Sequence, residues 1–169
     1  MMRLLTMPVA RIYLVLGKLC LYMLVTLLQA CLMLACGHWL IPLFGLTPLK
    51  LTAAPLPLLV VTLCSGLAAV GFALAVASTA GTTDQAGIVG STTVVLFSAL
   101  GGAFVPLCFM APVMQKIALV SPMNWALTAY LDLFVRGARF ADIWGRLALL
   151  TAFGAAGILW CWGRLFRRA

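Results

Sequence analysis

Long stretches without any Asp, Glu, Lys or Arg are the feature that most limits what this chain can fold into. Residues 19–49, 51–83 and 85–115 carry no such residue over 31, 33 and 31 positions, and residues 147–163 add a run of 17. A helix needs roughly 20 mainly apolar residues to cross the hydrocarbon core of a membrane. We therefore predict an all-α, polytopic helical membrane protein.

The composition excludes most other classes of protein. Of the 169 residues, 65% are hydrophobic and 8% charged, whereas a soluble domain carries about a quarter charged residues. A soluble enzyme, a disordered chain and a secreted disulfide scaffold are therefore excluded, and so is a β-barrel, whose strands alternate with a period of two. The six cysteines show no metal-ligand spacing, so we predict no metal site and interpret them as small apolar residues.

The basic residues explain the formal net charge of +8 without nucleic acid. Most of them flank the apolar runs, where Lys and Arg hold helix ends at lipid headgroups. We therefore predict membrane lipid, and no nucleic acid, as a partner.

Pro and Gly residues, which interrupt helices, divide the chain into segments. A short amphipathic segment (1–18) is followed by the transmembrane domain (19–163) and a basic tail (164–169). Within the domain we predict four transmembrane helices, at residues 19–40, 58–78, 88–105 and 144–162. The second helix carries a stripe of small residues, Ser65, Ala69, Ala73 and Ala77, which we interpret as a helix-packing surface, because small residues let helix backbones approach closely in lipid.

Residues 107–140 differ from the rest because prolines and charges interrupt their apolar sequence. Neither half is long enough to span, so we predict a pair of short re-entrant or amphipathic helices. Ser121 before Pro122 is typical of a helix start, with the Ser oxygen capping free amides. Asp132 and Arg136 are four residues apart and are predicted to pair on one helix face.

The motifs of several catalytic mechanisms are missing. The sequence contains no phosphate-binding loop, HExxH or GxSxG motif, and the only histidine, His38, lies beside Trp39 at a span end, as interfacial residues do. The three carboxylates lie outside the middle of the spans, which argues against an ion-driven pump and an intramembrane protease. The functional classes that remain are a channel, a scaffold, and a part of a transporter that is driven by another chain.

The longest motif of the chain resembles one family. The sequence ALGGAFVPLCFMAPVMQKIALVSPMNWALTAYLDLFVRG, preceded by MRLLTMPVARIYLVLGK and ASTAGTTDQAG, resembles the C-terminal part of an ATP-binding-cassette (ABC) type-2 export permease. The resemblance covers nearly the whole chain. It implies a six-span permease in the bacterial inner membrane, with both termini cytoplasmic. It also implies a dimer with a second permease copy or a related permease. A cytoplasmic ABC ATPase subunit would bind the ATP, so no cofactor is expected on this chain and the chain is not expected to be an enzyme itself.

The resemblance also assigns two groups of site residues. Coupling to the ATPase falls on Pro8, Arg11, Gly17 and Lys18, although lipid anchoring explains Arg11 and Lys18 equally well. A re-entrant gate on the outer side falls on residues of the long motif, namely Gly101, Gly102, Pro106, Pro112, Ser121, Pro122, Trp125, Asp132, Arg136 and Gly137. Gly101, Gly102 and Pro106 are predicted to bend the third span into the hairpin, with a plain helix end as the alternative. Asp132 and Arg136 are interpreted as a structural pair.

The predicted function is that of a membrane-spanning permease subunit of an ABC-type exporter, which moves substrate by alternating access. The chain matches the last four spans of such a permease, and is expected to be incomplete or to have a mis-set start. A membrane scaffold or assembly factor, and a non-functional permease remnant, are the alternatives. The substrate is not predicted from the sequence.

Overall fold

The structure is a computed structural model that describes residues 11–45 and 55–167. Helices joined by turns make up this described part, and it contains no strand. Three of the helices are long and apolar enough to cross a membrane, which confirms the predicted polytopic helical class. The elements are α1 (Arg11–Leu43), α2 (Pro55–Thr79), α3 (Thr83–Leu100), a 3-10 turn (Leu107–Phe109), α4 (Pro112–Ala118), α5 (Pro122–Phe134) and α6 (Phe140–Arg167).

The two outer predicted spans are longer than expected. The first candidate span, Val15–Leu40, lies within α1, and the last, Phe140–Arg164, covers most of α6. Residues 11–18, which the sequence assigned to a separate amphipathic segment, form the first two turns of α1 and continue directly into the span. Pro42 lies in the last turn of α1, so this proline does not end the helix at residue 40.

Helix α2 is the centre of the bundle and contacts α1, α3, α5 and α6. Its first half packs on α5 and α6 through a cluster of buried apolar residues: Val61, Ala129, Leu133, Ile143 and Leu147. Its second half packs on α1 and α6 through Val70, Leu74 and Cys161, against Val15, Leu19, Met23 and Ile158. Dispersion contacts of this kind hold helices together where lipid removes the hydrophobic driving force.

Three glycines bring the backbones of α2 and α6 into direct contact. A Cβ on Gly154 would lie 2.6 Å from the carbonyl oxygen of Leu67, and Cβ atoms on Gly71 and Gly157 would overlap backbone atoms of the opposite helix. The predicted packing stripe lies elsewhere on α2, and its members Ala69, Ala73 and Ala77 are exposed in the described chain. That prediction was wrong for contacts within the chain, because α2 carries two sets of small residues and only the glycines face α6.

The beginning of α1 and the end of α6 lie at the same end of the bundle. Val15 and Leu19 from the first turns of α1 share a cluster with Ile158 and Cys161 from the last turns of α6. The segment between α3 and α6 therefore lies toward the opposite end, since α6 begins there. The placement of both termini on the cytoplasmic side stays a prediction.

Helix α3 differs from the predicted third span, residues 88–105. It begins earlier, at Thr83, with Thr82 accepting a hydrogen bond from the Gln85 amide, and it ends at Leu100. Its last turn reaches only the middle of the bundle, because Phe97 contacts Phe72 and Phe153 there. Helix α3 is not one of the three candidate spans, so a fourth span stays a prediction.

Candidate functional site

Helices α4 and α5 form a sharply bent pair at the site of the predicted re-entrant segment. Their axes differ by 92°. Helix α5 runs antiparallel to α6, since Trp125 in its first turn contacts Phe153 and Asp132 near its end contacts Arg146. Phe153 is 13 residues, or roughly 20 Å, beyond the start of α6. The first turn of α5 therefore lies near the middle of the bundle, where it meets the end of α3.

Hydrogen bonds from α5 satisfy the end of α3. The Ser121 hydroxyl donates to the Phe97 carbonyl (3.0 Å), and the Asn124 amide donates to the Gly101 carbonyl (3.3 Å). The predicted capping of α5 by Ser121 is wrong, because the hydroxyl makes no hydrogen bond to its own helix and serves α3 instead. The Phe97 carbonyl also accepts a hydrogen bond from the Gly101 amide (2.7 Å), so the bond from Asn124 to Gly101 is the one that pairs an otherwise free helix-end carbonyl, as an apolar environment requires.

Close packing and a left-handed turn explain two of the predicted gate glycines. A Cβ on Gly101 would lie 2.8 Å from the Met123 Cβ, so only glycine lets α5 approach α3 this closely. Gly102 has φ +90, a conformation that side chains disfavour, and turns the chain away from the α3 axis. The chain then reaches Pro106 and the 3-10 turn. The third helix thus ends at the predicted glycines, whereas a role in gating stays a prediction.

Prolines and a third glycine set the ends of the bent pair. Pro112 and Pro122 occupy the first turns of α4 and α5, where the missing amide costs no hydrogen bond. The Trp125 indole donates to the Leu119 carbonyl (2.7 Å) across the bend. Gly137 has φ +59 and directs the chain into α6. The fold therefore gives each of these predicted residues a structural function.

Asp132 holds two arginines near the end of α5. Its side chain is 8% exposed and lies 2.6 Å from Arg136, which confirms the predicted pair. Its second oxygen binds Arg146 of α6, which the sequence analysis missed because the two residues are 14 positions apart. The side chain of Arg146 is 34% exposed and that of Arg136 66%, so the contact with Arg146 is the better shielded of the two. The ion cluster ties α5 to α6.

A cavity of about 370 Å³ lies beside the bent pair, between α1, α2, α3, α5 and α6. Its wall is mainly hydrocarbon, and it includes Phe72, Phe97 and Phe153, whose rings contact each other. The predicted gate residue Pro122 lines it, as do Ser65 and Ala69 of the small-residue stripe. Cavities of this size and lining hold small molecules in many proteins. The sequence analysis did not find this cavity, because it is built from residues of five separate helices.

Ser65 carries a buried side-chain oxygen that has no hydrogen-bond partner within the described residues. Thr62, one turn earlier, donates to the Leu58 carbonyl (2.8 Å) and accepts a hydrogen bond from the Tyr130 hydroxyl (3.0 Å). Thr26 donates to the Tyr22 carbonyl (2.8 Å). The Ser65 oxygen, in contrast, is buried and has no hydrogen-bond partner within the described residues. Such unpaired buried hydroxyls are rare and require an explanation.

The residues assigned to coupling lie at the other end of the bundle. Gly17 and Lys18 are exposed in the first turns of α1, and a side chain at Gly17 would meet no atom within 4 Å. Arg11 is the first residue of α1, and Pro8 lies outside the described residues. The structure therefore separates Arg11, Gly17 and Lys18 from the predicted gate residues, whereas a role in coupling stays a prediction.

The described ranges contain no cluster of His, Cys, Asp and Glu that is able to hold a metal ion. All six cysteines are free thiols, and His38 is exposed near the end of α1. The candidate site that the described residues form is an apolar cavity bordered by α5.

Comparisons with known proteins agree with this architecture. The sequence profile of the family described as "ABC-2 type transporter" matches residues 1–135. The chain is also similar to the linearmycin resistance permease protein LnrN of Bacillus subtilis (strain 168), with 29% identity over 153 residues. The match covers 90% of this chain and 38% of that protein, so the chain spans well under half the length of this relative. No solved structure matches the chain.

Proposed function

Because the chain belongs to the ABC-2 type transporter family, we propose that it is a permease subunit of an exporter that works by alternating access. A separate cytoplasmic ABC ATPase supplies the energy, and a second permease copy completes the transporter in the bacterial inner membrane. Both termini of the chain are cytoplasmic in this arrangement. Alternating access follows from rigid-body rocking of helices around a central site.

The observation that carries this proposal is the cavity beside the bent pair. Four residues of α5 line it, Pro122, Met123, Ala126 and Tyr130, and α5 runs from there toward the end of the bundle opposite the residues assigned to coupling. Movement of α5 relative to α3 would require the hydrogen bonds of Ser121 and Asn124 to break. In this proposal, these two hydrogen bonds break and α5 moves away from α3 when substrate leaves on the outer side.

Filling the cavity is expected to abolish export. We expect Ala69→Trp to place an indole inside the cavity without disturbing the packing of α2, because Ala69 is exposed and lines the cavity. Efflux of the neutral dye Nile red is measured in cells that co-express the chain with the ABC ATPase encoded nearest to its gene. Efflux falls to the level given by a hydrolysis-deficient ATPase.

The matched control for this variant is Ala77→Trp. Ala77 belongs to the same small-residue stripe and is exposed, but it does not line the cavity. It should retain efflux at the unmodified rate. Equal loss of efflux in both variants, or full efflux with Ala69→Trp, would contradict the assignment of the cavity to transport.

Reversing the charge at Lys18 is expected to uncouple ATP hydrolysis from export. Lys18 lies at the end of the bundle proposed to face the ATPase. With Lys18→Glu we expect the export rate to fall at least about five-fold, which corresponds to the lower end of ordinary coupling free energies. ATP hydrolysis is expected to persist. Both rates are measured in vesicles.

Lys116→Glu is the control for this experiment, since Lys116 is an exposed lysine on α4, outside the proposed ATPase surface. It should leave both rates unchanged. If Lys18→Glu instead lowers the amount of chain inserted in the membrane and leaves the rate per inserted chain unchanged, Lys18 is a lipid anchor and not a coupling residue.

A further inference from the structure

We propose that the cavity binds an uncharged, flat molecule with two separate polar groups. An amide-type group of the ligand pairs with the side chain of Gln29, and a second polar group pairs with the hydroxyl of Ser98. This inference rests on the proposed function, because it names the class of substrate for the same cavity. It adds two residues that determine specificity, which the family match does not provide.

Gln29 places a carboxamide near the middle of the first candidate span, Val15–Leu40. The residue is exposed and lines the cavity, and its side chain makes no hydrogen bond within the described residues. An unpaired amide in apolar surroundings is unfavourable, and polar side chains of this kind pair with other polar groups inside membranes. A partner for this carboxamide is therefore expected at the cavity.

The opposite side of Gln29 does not supply that partner. There the residue borders a second groove on α1, whose other described lining residues are apolar apart from one thiol: Leu32, Met33, Cys36, Gly37, Leu40 and Phe44. A thiol is only a weak hydrogen-bonding group. The cavity is thus the better of the two spaces for a molecule that pairs with the Gln29 amide.

Ser98 of α3 provides the second polar position. It lines the cavity, and its hydroxyl makes no hydrogen bond within the described residues. Unlike the Ser65 oxygen, which the protein encloses, the Ser98 oxygen is not a fully buried unpaired atom. A ligand therefore reaches Ser98 but not Ser65. Thr62 and Tyr130, which also line the cavity, already bind each other.

The two positions belong to different helices. Helices α1 and α3 both pack on α2, and the cavity is lined by all three, so Gln29 and Ser98 approach a ligand from separate parts of its wall. A carboxamide has a donor and an acceptor side by side, which lets it form two hydrogen bonds with a lactam or amide. A hydroxyl both donates and accepts, so Ser98 pairs with an amine, an alcohol or a carbonyl.

The rest of the wall determines the charge and shape of the ligand. No Asp, Glu, Lys or Arg lines the cavity among the described residues, so a charged molecule would lose its hydration without gaining a counterion. Phe72 and Phe153 stack at 6.4 Å between ring centroids, and Phe97 meets Phe72 edge-on at 5.7 Å. Such rings offer apolar faces and edges to a ligand ring. The volume of about 370 Å³ is suited to a compact molecule of a few fused rings.

Four matched probes test this inference on the purified chain in lipid nanodiscs, without any ATPase. The reference probe is 7-amino-4-methyl-2-quinolone, which carries a lactam and an amine. The probe 7-amino-4-methylcoumarin replaces the lactam N–H by oxygen, 4-methyl-2-quinolone lacks the amine, and 2-quinolone-4-carboxylate is charged. Binding of the reference probe is measured by energy transfer from tryptophan, and binding of the others by displacement of it.

The unmodified chain is expected to bind the reference probe about five-fold more tightly than the coumarin, the effect of one hydrogen bond. The carboxylate should not displace the reference probe. The first variant is Gln29→Met, which keeps the length of the side chain and removes its hydrogen-bonding groups. It is expected to weaken binding of the reference probe at least about five-fold and to abolish the preference for the lactam over the coumarin. A merely structural role of Gln29 would instead weaken both probes equally.

The second variant, Ser98→Ala, tests the other polar position. It is expected to weaken binding of the reference probe about five-fold, to leave binding of 4-methyl-2-quinolone unchanged and to keep the preference for the lactam over the coumarin. The control Ser91→Ala lies on the same helix, and its hydroxyl binds the Ile88 carbonyl (3.2 Å) outside the cavity. This variant should bind all probes like the unmodified chain.

Several results would overturn the inference. Absence of saturable binding of the reference probe, equal affinity of the unmodified chain for lactam and coumarin, or displacement by the carboxylate each contradicts it. Failure of the proposed function looks different: the probes then bind with the expected preferences, while cells export no dye. Conversely, if Ala69→Trp stops export but Gln29→Met and Ser98→Ala weaken all neutral probes equally or not at all, the specificity residues are wrong and the transport cavity is not.

Discussion

Replacing Gly154 by alanine is expected to lower the free energy of unfolding by about 2–3 kcal/mol, as overpacking of a close contact does. The added methyl group would lie 2.6 Å from the Leu67 carbonyl oxygen and 2.9 Å from the Ala68 amide nitrogen. Both are backbone atoms, so no side chain is able to move aside, and the two helices must separate. The measurement is the midpoint of SDS-induced unfolding in mixed micelles.

Gly145→Ala is the matched control, since Gly145 lies on the same helix and a Cβ there meets nothing within 4 Å. It should change stability by no more than about 0.5 kcal/mol. Gly71→Ala should resemble Gly154→Ala, because it introduces the same overlap from the side of α2. Equal stability of Gly145→Ala and Gly154→Ala would show that α2 and α6 do not pack through these glycines.

Asp132→Asn is expected to lower the free energy of unfolding by about 3 kcal/mol, because it leaves Arg146 partly buried without its counterion. Arg136→Gln should cost less than about 1 kcal/mol, since Arg136 is mainly exposed and its ion pair is screened by solvent. SDS titration again provides the measurement. We thus expect the larger loss of unfolding free energy for Asp132→Asn, because Asp132 contacts both arginines.

A combined substitution separates a structural ion cluster from a substrate contact. Asp132→Leu with Arg146→Leu removes both buried charges and should recover most of the stability lost in Asp132→Asn, because apolar replacement of a buried pair is often neutral. Export of Nile red by this double variant should equal that of the unmodified chain. A stable double variant that exports a different set of dyes would contradict the structural interpretation of Asp132.

Hydropathy was enough to predict α1, α2 and α6, since the cost of placing charges in hydrocarbon acts on each segment separately. The pair of Asp132 and Arg136 was also predictable, because their spacing of four residues is a local property of one helix. Contacts between helices were not predictable from the sequence. The choice of Gly71 over Ala73 as the residue facing α6, and the second arginine on Asp132, depend on how α2, α5 and α6 are rotated against each other.

The cavity and the unpaired Ser65 were not predictable either, because they too depend on contacts between helices. Nothing near Ser65 in the sequence distinguishes it from Ser78, although one hydroxyl lacks a partner and the other has one. Likewise, Ser121 before a proline has the sequence of a helix cap, but a carbonyl of α3 competes for its hydroxyl. In both cases the outcome depends on a neighbour supplied by another helix.

The bonds from Ser121 and Asn124 to α3 have a consequence for biosynthesis. When α3 leaves the ribosome, its Phe97 carbonyl already accepts a hydrogen bond from the Gly101 amide, but Asn124, which pairs with the Gly101 carbonyl, is synthesised 23 positions later. An apolar lipid environment offers the Gly101 carbonyl no substitute. Helix α3 is therefore expected to stay beside the insertion machinery until α5 has emerged, so that the two enter the bilayer as one unit.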